Sequence, residues 1–410
     1  MFSKAINKTR NYLALEKSLR ALIIIVVLTR LSNNLWVPLL GLYVTGELGV
    51  SLIMYGLMNT TNQLVLSLAI FPSGFFSDNF GRKNMIILSI IFSILALITL
   101  FFVKNIPWLF LVSIFQGLNL AFIGPSQSAY VIDVIQDKRR GIAFATIAFF
   151  RSLSTTIAVF IAGAIATIIN FYGVFGAALA FQLISLIVTI FYLKESLRRD
   201  TFETKPSKES LFRQLRDGLT ILKSPPLLAV LFGIVFHQLG IGIQNPYITI
   251  YADNILMFSL PTISLMLGLE RLGIFIGHLP GGRIVDKYGG EVSFAFHILA
   301  TSPLMILFTV TKNPSFAGLI LFSWGLTFGL DNVSRQKLIP KYRSKSKIAT
   351  AFGVISLIAG VTSLVSPTIG GWVWTNYTPQ TVFYASAIAN VLGSIPLFAL
   401  WLYNRIKKRQ

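Results

Sequence analysis

Long apolar runs separated by short polar segments cover almost the whole chain. A run of about 20 residues can cross the hydrocarbon core of a bilayer as a helix, because a helix rises about 1.5 Å per residue. The pattern therefore predicts an all-α polytopic membrane protein with twelve transmembrane helices. The predicted spans, numbered 1 to 12 in chain order, cover residues 21–44, 52–76, 84–103, 107–134, 142–169, 171–193, 226–251, 260–284, 292–311, 315–339, 349–374 and 381–402.

The longest polar segment, residues 194–225, divides the chain into an N-terminal half, 1–193, and a C-terminal half, 226–410. Within this segment the apolar side chains recur at helical spacing and lie opposite a polar face. This periodicity predicts an amphipathic helix at the membrane surface. Its role is either a tether between the halves or a solvated linker anchored by lipid. The apolar face consists of Leu211, Phe212, Leu215, Leu219 and Leu222.

The two halves repeat each other at a constant offset of 208 residues. Residues 74–81 and 282–289 share the pattern G-x-x-x-D-x-x-G, each at the end of a long apolar run. A duplicated set of membrane helices is typical of secondary transporters. The repeat predicts two pseudo-symmetric bundles of six helices each. Further matches at the same offset pair Pro38 with Pro246, Tyr43 with Tyr251, Pro72 with Pro280, and Gly163 with Gly371.

The chain has a net charge of +20, and its basic residues are concentrated in alternate loops between the predicted spans. Only 12% of residues are charged and 54% are apolar, whereas soluble domains carry about 25% charged residues. The predicted outer loops contain only Lys104 and Lys312 among the 35 lysines and arginines. This positive-inside bias predicts a protein of the cytoplasmic (plasma) membrane with both termini in the cytoplasm. It argues against nucleic acid as a partner.

Signatures of enzymes and of bound cofactors are missing from the sequence. The chain has no cysteine, which excludes disulfides and thiolate metal sites. His237, His278 and His297 lack the spacing of a metal site, and no phosphate-binding or nucleophile motif occurs. We therefore predict no enzyme activity, no cofactor and no metal. The first span is too long for a cleaved signal peptide.

With its twelve spans, its repeat and the loop Gly74-x-x-x-Asp78-x-x-Gly81-Arg82-Lys83, the chain resembles the major facilitator superfamily over essentially its full length. The loop is that family's motif A. The resemblance implies two bundles that rock around a central cavity. It also implies that Asp78 caps span 11 and that Arg82 pairs with Asp133, so that the loop latches the outward-open state.

The second copy of the loop motif is weaker, because Gly290 and Glu291 stand where the first copy has Arg82 and Lys83. We expect this copy to lack the charge relay. Its predicted gating residues are Gly282, Asp286 and Gly289.

Two other family signatures are partial. In the span-4 pattern R-x-x-Q-G, Ser113 stands in place of the arginine that the family links to proton transfer. The antiporter motif G-P-x-x-G-G has lost its Gly-Pro at residues 158–163, while residues 366–371 keep most of it. The antiporter signature is thus half present.

Four ionisable residues lie near the middle of predicted spans: Arg30, Arg151, Glu270 and Arg271. A charge at the bilayer centre costs at least about 2.5 kcal/mol, so each needs a partner or a wet cavity. The resemblance places spans 5 and 8 side by side, which implies an ion pair of Arg151 with Glu270 and leaves Arg271 for substrate or for Asp331. We predict that Glu270 is the group whose protonation or ligand-dependent release accompanies the conformational switch.

Other polar residues inside the spans are predicted to line the cavity. Arg30 forms one stripe with Asn33 and Asn34, which resembles the first span of drug exporters and suits either substrate binding or a structural ion pair. Asp331 is either a second protonatable group or a local partner of Arg335. The remaining predicted cavity residues are Gln116, Asn119, Gln244 and Asn245.

These patterns together predict a secondary transporter that exports small organic or drug-like molecules by proton antiport. Its predicted partners are a small-molecule substrate, protons and the lipid bilayer, and it is expected to act as a monomer. An organic-anion carrier or facilitator is the alternative, since arginines outnumber carboxylates inside the spans. A non-transporting sensor or a lipid scramblase on the same fold is a third possibility.

Overall fold

The computed structural model describes residues 17–197, 224–342 and 348–407, and all regular structure within them is helical. The apolar face predicted at residues 211–222 lies outside the described residues, as do both ends of the chain. One long helix covers each predicted span. The twelve are α1 Lys17–Trp36, α2 Leu52–Phe80, α3 Arg82–Phe101, α4 Ile106–Val134, α5 Asp137–Ile168, α6 Phe171–Tyr192, α7 Pro225–Gln244, α8 Leu260–Tyr288, α9 Gly290–Val310, α10 Pro314–Lys341, α11 Ile348–Asn376 and α12 Pro379–Lys407.

Eleven helices of the described residues are long and apolar enough to cross a membrane, which confirms the predicted class of fold. Helix α2 is 29 residues long but is not among the eleven. Its centre carries the polar sequence Asn59-Thr60-Thr61-Asn62-Gln63. Large apolar side chains such as Phe191 and Leu279 are 76% and 72% exposed, as expected for surfaces that face lipid.

Helices α1 and α7 are interrupted at equivalent positions. Each ends in a 3₁₀ turn, Val37–Leu39 after α1 and Asn245–Tyr247 after α7. Pro38 and Pro246 stand at the centre of these turns, where proline removes a backbone donor and clashes with the preceding turn. The chain then continues to Glu47 through one α-helical and one π-helical turn, and to Asn254 through a short helix. The backbone therefore repeats the duplication seen in the sequence.

The chain divides into two compact units. Of the described residues, the first unit comprises 17–36, Leu64–Ala158 and 169–197. Its core packs α1, α3, α4, α5 and α6, and its fully buried side chains include Leu22, Ile86 and Ile90.

Of the described residues, the second unit comprises Val37–Gln63, Val159–Ile168, 224–342 and 348–407. Its core packs α7, α9, α10, α11 and α12 around residues such as Leu227, Phe294 and Leu397. Two stretches of the N-terminal half, the beginning of α2 and the end of α5, thus belong to the contact unit of the C-terminal half.

Those two stretches make matching contacts inside the second unit. A Cβ added to Gly371 of α11 would lie 2.5 Å from the Leu52 carbonyl oxygen, and a Cβ added to Gly163 of α5 would lie 2.5 Å from the Leu260 carbonyl oxygen. Both pairs are related by the offset of 208 residues. Each half therefore contributes one glycine and one helix start to an equivalent close crossing.

Helices α8 and α10 approach each other most closely along a stripe of glycines. Gly273, Gly277 and Gly281 of α8 lie against backbone carbonyls of α10, and Gly325 and Gly329 of α10 lie against backbone atoms of α8. Small residues at this spacing let two membrane helices pack backbone to backbone. The crossing fixes the relative position of Glu270 on α8 and Asp331 on α10.

Candidate functional site

The first copy of the loop motif is organised around Arg82, whose side chain is only 9% exposed. Its Nη1 lies 2.5 Å from Asp78 Oδ1, and its Nε donates to Asp133 Oδ2 at 3.1 Å. The Ser196 hydroxyl donates to the same Asp133 oxygen at 3.0 Å. The structure thus contains the Arg82–Asp133 contact that the resemblance implies, and its gating role stays a prediction.

Glu195, which the sequence analysis missed, caps helix α3. The helix begins after Gly81, which has no side chain to accept the first backbone N–H groups. Glu195 accepts from the backbone N–H of Arg82 at 2.9 Å and of Lys83 at 3.2 Å. Lys83 also donates from Nζ to the Ile190 carbonyl at 2.7 Å. The only sequence signal was a carboxylate placed directly after a span.

The second copy contains an ion pair of opposite polarity, in which Lys341 stands at the position of Asp133 and the acid is Glu291, at the position of Lys83. Glu291 is 2% exposed and accepts from the Lys341 ammonium, the Tyr342 hydroxyl and, at 3.2 Å, Asn404 Nδ2. Our expectation that this copy lacks a charge network is therefore wrong. Burial and the hydrogen bond to the Glu291 carboxylate raise the pKa of the Tyr342 phenol, so the hydroxyl remains a donor.

The predicted gating residues of the second copy lie beside this network. Asp286 pairs with Lys337 at 2.6 Å on the exposed surface. Gly289 begins α9 with a positive φ of 94°, close to the 99° of Gly81. Gly282 and Gly74 have open space around them, so neither is required there for a close contact within its unit.

Two arginines lie together inside the first unit. Arg30 of α1 and Arg151 of α5 are near enough to repel each other, and neither forms an ion pair with a described residue. The Arg151 Nε is buried without a hydrogen-bond partner in the described part of the chain. Within the described residues of this unit, the structure therefore does not contain the predicted alternative, an ion pair of Arg30 with a carboxylate.

The amides near these arginines are mostly occupied by structural contacts. Asn33 Nδ2 donates to Asn119 Oδ1 at 3.4 Å, and Asn119 Nδ2 donates to the Ser89 carbonyl at 2.8 Å. Asn34 donates to the Arg30 carbonyl of its own helix at 2.9 Å. In contrast, Gln116 is 8% exposed and its Oε1 has no partner among the described residues. Of the predicted cavity amides on α1 and α4, Gln116 is thus the one with a free acceptor.

The two carboxylates predicted to act inside the spans of the second unit, Glu270 and Asp331, have partners on their own helices. Glu270 is 5% exposed, and its Oε1 lies 3.6 Å from Arg271 Nη1, which is longer than a hydrogen bond. Asp331 is 1% exposed and pairs with Arg335 one turn away, which is the local alternative for this residue. The predicted pair of Glu270 with Arg151 joins residues of different units and stays a prediction.

The two polar residues of α7 differ in surroundings. Gln244 is fully buried, and both of its side-chain polar atoms lack partners in the part of the chain that the structure describes. Asn245 is exposed at the start of the 3₁₀ turn. Of the predicted cavity residues on α7, Gln244 is thus the one with unused hydrogen-bonding capacity.

The tandem repeat, the spanning helices and the buried charges together define a membrane transporter. The model of the Major Facilitator Superfamily matches residues 22–241 and 230–410. The chain belongs to this family.

Curated relatives of the chain are named as multidrug resistance proteins, and one of them as an efflux pump. The chain is 24% identical to multidrug resistance protein 1 of Bacillus subtilis over 92% of this chain and 96% of that protein. It is also 24% identical to the multidrug resistance protein MdtG of Escherichia coli, covering 93% of both. The multi-drug resistance efflux pump PmrA of Streptococcus pneumoniae is 24% identical over 77% of this chain and 78% of PmrA.

Solved structures share the fold at lower identity. The nucleoside transporter NupG aligns with a TM-score of 0.77 and 15% identity over 94% of this chain and 99% of that one. A POT family transporter in complex with a peptide conjugate aligns with a TM-score of 0.74 and 15% identity over 92% and 94%. These likenesses concern the fold alone.

Proposed function

We propose that this protein exports small organic molecules across the plasma membrane, by alternating access and in exchange for protons. The family membership and the relatives named as multidrug resistance proteins, one of them an efflux pump, support export. In this proposal the protein acts as a monomer with both termini in the cytoplasm. The proton is carried by a carboxylate inside the membrane.

The observation that carries the proposal is the loosely paired Glu270. Its carboxylate is buried at mid-span, and its nearest cation, Arg271, is 3.6 Å away and 34% exposed. Charged carboxylates at this depth cost about 2.5–3.5 kcal/mol, and protonation removes that cost. A carboxylate held by one long ion pair can therefore exchange its partner for a proton, which is what antiport requires. A rigid, fully hydrogen-bonded carboxylate such as Glu291 would suit this role poorly.

Two arginines of the first unit indicate which class of substrate the protein would favour. Arg30 and Arg151 form a positive pair with no acidic partner in the described residues. A site of this kind favours substrates that carry a carboxylate, a phosphate or strong hydrogen-bond acceptors. This observation supports the second candidate function, an organic-anion carrier or facilitator.

The loop motifs supply the conformational gate in this proposal. Arg82 holds α2, α3 and α4 together at one end of the first unit through its two carboxylates. We infer that these ion pairs break and form again as the bundles rock and the protein alternates between its two open states.

The test uses protein reconstituted in sealed vesicles with an internal pH dye. A pH gradient is imposed, and lipophilic cations and small organic anions are added separately. Proton efflux triggered by the addition of substrate, lost in Glu270→Gln and kept in Glu47→Gln, supports proton-coupled export through Glu270. The control removes an exposed carboxylate at the end of a span.

Three other outcomes would decide against the proposal. If Glu270→Gln transports normally with an unchanged pH dependence, Glu270 is not the coupling carboxylate. A response to anions alone that needs Arg30 and Arg151, with no proton movement, would favour the anion carrier. Vesicles that pass none of these solutes would favour a non-transporting protein.

A further inference from the structure

Two histidines that the sequence analysis left unassigned meet inside the second unit. His237 of α7 and His297 of α9 are both fully buried. Their rings are 4.9 Å apart between centroids, and the two Nε2 atoms are separated by 3.2 Å. The chain contains only three histidines, so this contact uses two of them.

The hydrogen bonds around His237 determine which of its nitrogens carries a proton. His237 Nδ1 lies 2.7 Å from Asn390 Oδ1. The Asn390 amide nitrogen donates to the Ser386 carbonyl at 2.9 Å, which leaves the amide oxygen facing the histidine. An amide oxygen only accepts, so Nδ1 is the donor. In neutral His237 the Nε2 atom therefore carries a lone pair.

The same argument applies to His297. Its Nδ1 lies 3.0 Å from the Thr327 hydroxyl oxygen. The Thr327 hydroxyl already donates to the Trp324 carbonyl at 2.7 Å, so its oxygen can only accept from the histidine. In neutral His297 the Nε2 atom also carries a lone pair. Two lone pairs would then face each other at 3.2 Å in a buried site.

A cation between the two nitrogens removes this conflict. A proton bound to one Nε2 would donate to the other, and 3.2 Å is within hydrogen-bonding range. An oxygen of Asp331 lies within 4.8 Å of a ring nitrogen of each histidine, and its Oδ1 is buried without a partner in the described residues. A negative charge at this distance stabilises a positively charged imidazole pair.

The charged groups around the pair favour a proton over a divalent metal. Of the described residues, those whose charges act on the histidines are Asp331 and Arg335, both from α10. Helix α12 contributes the neutral Asn390, and the other ring neighbours are Phe294 and Phe328. Because Asp331 and Arg335 already neutralise each other, a divalent ion would leave two positive charges buried, whereas a proton leaves one.

We propose that His237 and His297 together bind one proton, shared between their Nε2 atoms, and that this is a coupling-ion site in the C-terminal half. The proton comes from a hydronium ion of the aqueous phase: one O–H bond breaks and leaves a water molecule, and one N–H bond forms on one histidine while the other histidine accepts the hydrogen bond. The role in coupling rests on the proposed proton-driven transport, whereas the binding of the proton does not. Release requires only that Thr327 stops accepting from His297, because the ring can then adopt the other neutral tautomer.

Nitrogen NMR of ¹⁵N-histidine-labelled protein in nanodiscs, titrated with pH, tests the binding site directly. We expect one imidazolium shared by the pair to appear as the pH is lowered. In Thr327→Val, which keeps the shape but removes the acceptor, we expect proton binding about tenfold weaker. In His278→Gln, which removes the exposed third histidine, the signals of the pair should be unchanged. Neutral rings with one Nε2–H throughout the titration would overturn the proposal.

The same samples distinguish a metal from a proton, and vesicles test the role. Signals that change on treatment with a chelator and return with Zn²⁺ would overturn the proton assignment. If wild-type vesicles exchange substrate for protons while Thr327→Val and His297→Gln do so equally well, the coupling role is wrong. If wild-type vesicles show no exchange, the proposed function fails, and the NMR titration still decides whether the pair binds a proton.

Discussion

The two copies of the loop motif share a backbone but carry opposite charges. Gly81 and Gly289 begin α3 and α9 with φ of 99° and 94°. In the first copy the base Arg82 is buried and pairs with Asp133 at the end of α4. In the second copy the acid Glu291 is buried and pairs with Lys341 at the end of α10. Asp133 and Lys341 occupy equivalent positions, 208 residues apart.

The third members of the two networks are also equivalent. Ser196 donates to Asp133 in the first copy, and Asn404 donates to Glu291 in the second. These residues again differ by 208 in number. Both copies place an ion pair between these helix ends with opposite polarity, and we infer that the direction of the pair is free. Coulomb attraction depends on the product of two charges, so exchanging both leaves it unchanged.

The largest effect is expected from reversing one charge of the second network. Glu291→Lys places a cation beside Lys341 in a site where Glu291 is 2% exposed. An unpaired buried charge costs about 3–5 kcal/mol. The double variant Glu291→Lys, Lys341→Glu should recover at least half of that loss, measured as thermal stability in detergent. If the double variant is no more stable than the single one, the direction of the pair is not free.

The next largest effect concerns the glycines that begin α3 and α9. Both have a backbone conformation that other residues adopt at a cost of about 1–3 kcal/mol. A Cβ at Gly81 would also collide with the Glu195 carboxylate, whereas at Gly289 it would lie 3.4 Å from Glu291. Gly81→Ala should therefore lower the melting temperature more than Gly289→Ala. Equal losses would show that the Glu195 cap adds nothing.

A smaller effect is expected from neutralising that cap. Glu195→Gln keeps one acceptor for the backbone of Arg82 and Lys83 but removes the negative charge at the start of α3. Losing a charged cap costs about 1 kcal/mol. Hydrogen exchange of the first turn of α3 should increase, while the first turn of α9 serves as the internal control. Unchanged exchange in α3 would contradict the capping role.

The smallest effect is expected for Asp133→Asn. Arg82 would keep its contact with Asp78 at 2.5 Å, and Asp133 itself is already 26% exposed in its side chain. We expect a loss of about 0.5–1 kcal/mol in stability. If the Arg82–Asp133 contact breaks and forms again during the transport cycle, the transport rate in the vesicle assay should change more than the stability does. A rate equal to that of the wild type would count against a gating role.

Sequence alone determined the helices and their duplication. A backbone in lipid must satisfy its own hydrogen bonds, so each long apolar run has one available structure, the helix. Pro38 and Pro246 likewise fix their local breaks without help from the rest of the chain. The contact of Arg82 with Asp133 followed from the family resemblance, since it depends on residues that the family shares.

Only the tertiary structure decided which helix faces meet. The partners of Glu291 come from the ends of α10 and α12, and the cap on α3 comes from a residue after α6. His237 and His297 lie 60 residues apart on different helices, and hydrogen bonds from α10 and α12 fix their tautomers. Such contacts arise from the rotation and depth of each helix in its bundle. Those are set by packing against several neighbours at once, and a periodicity along one helix does not contain them.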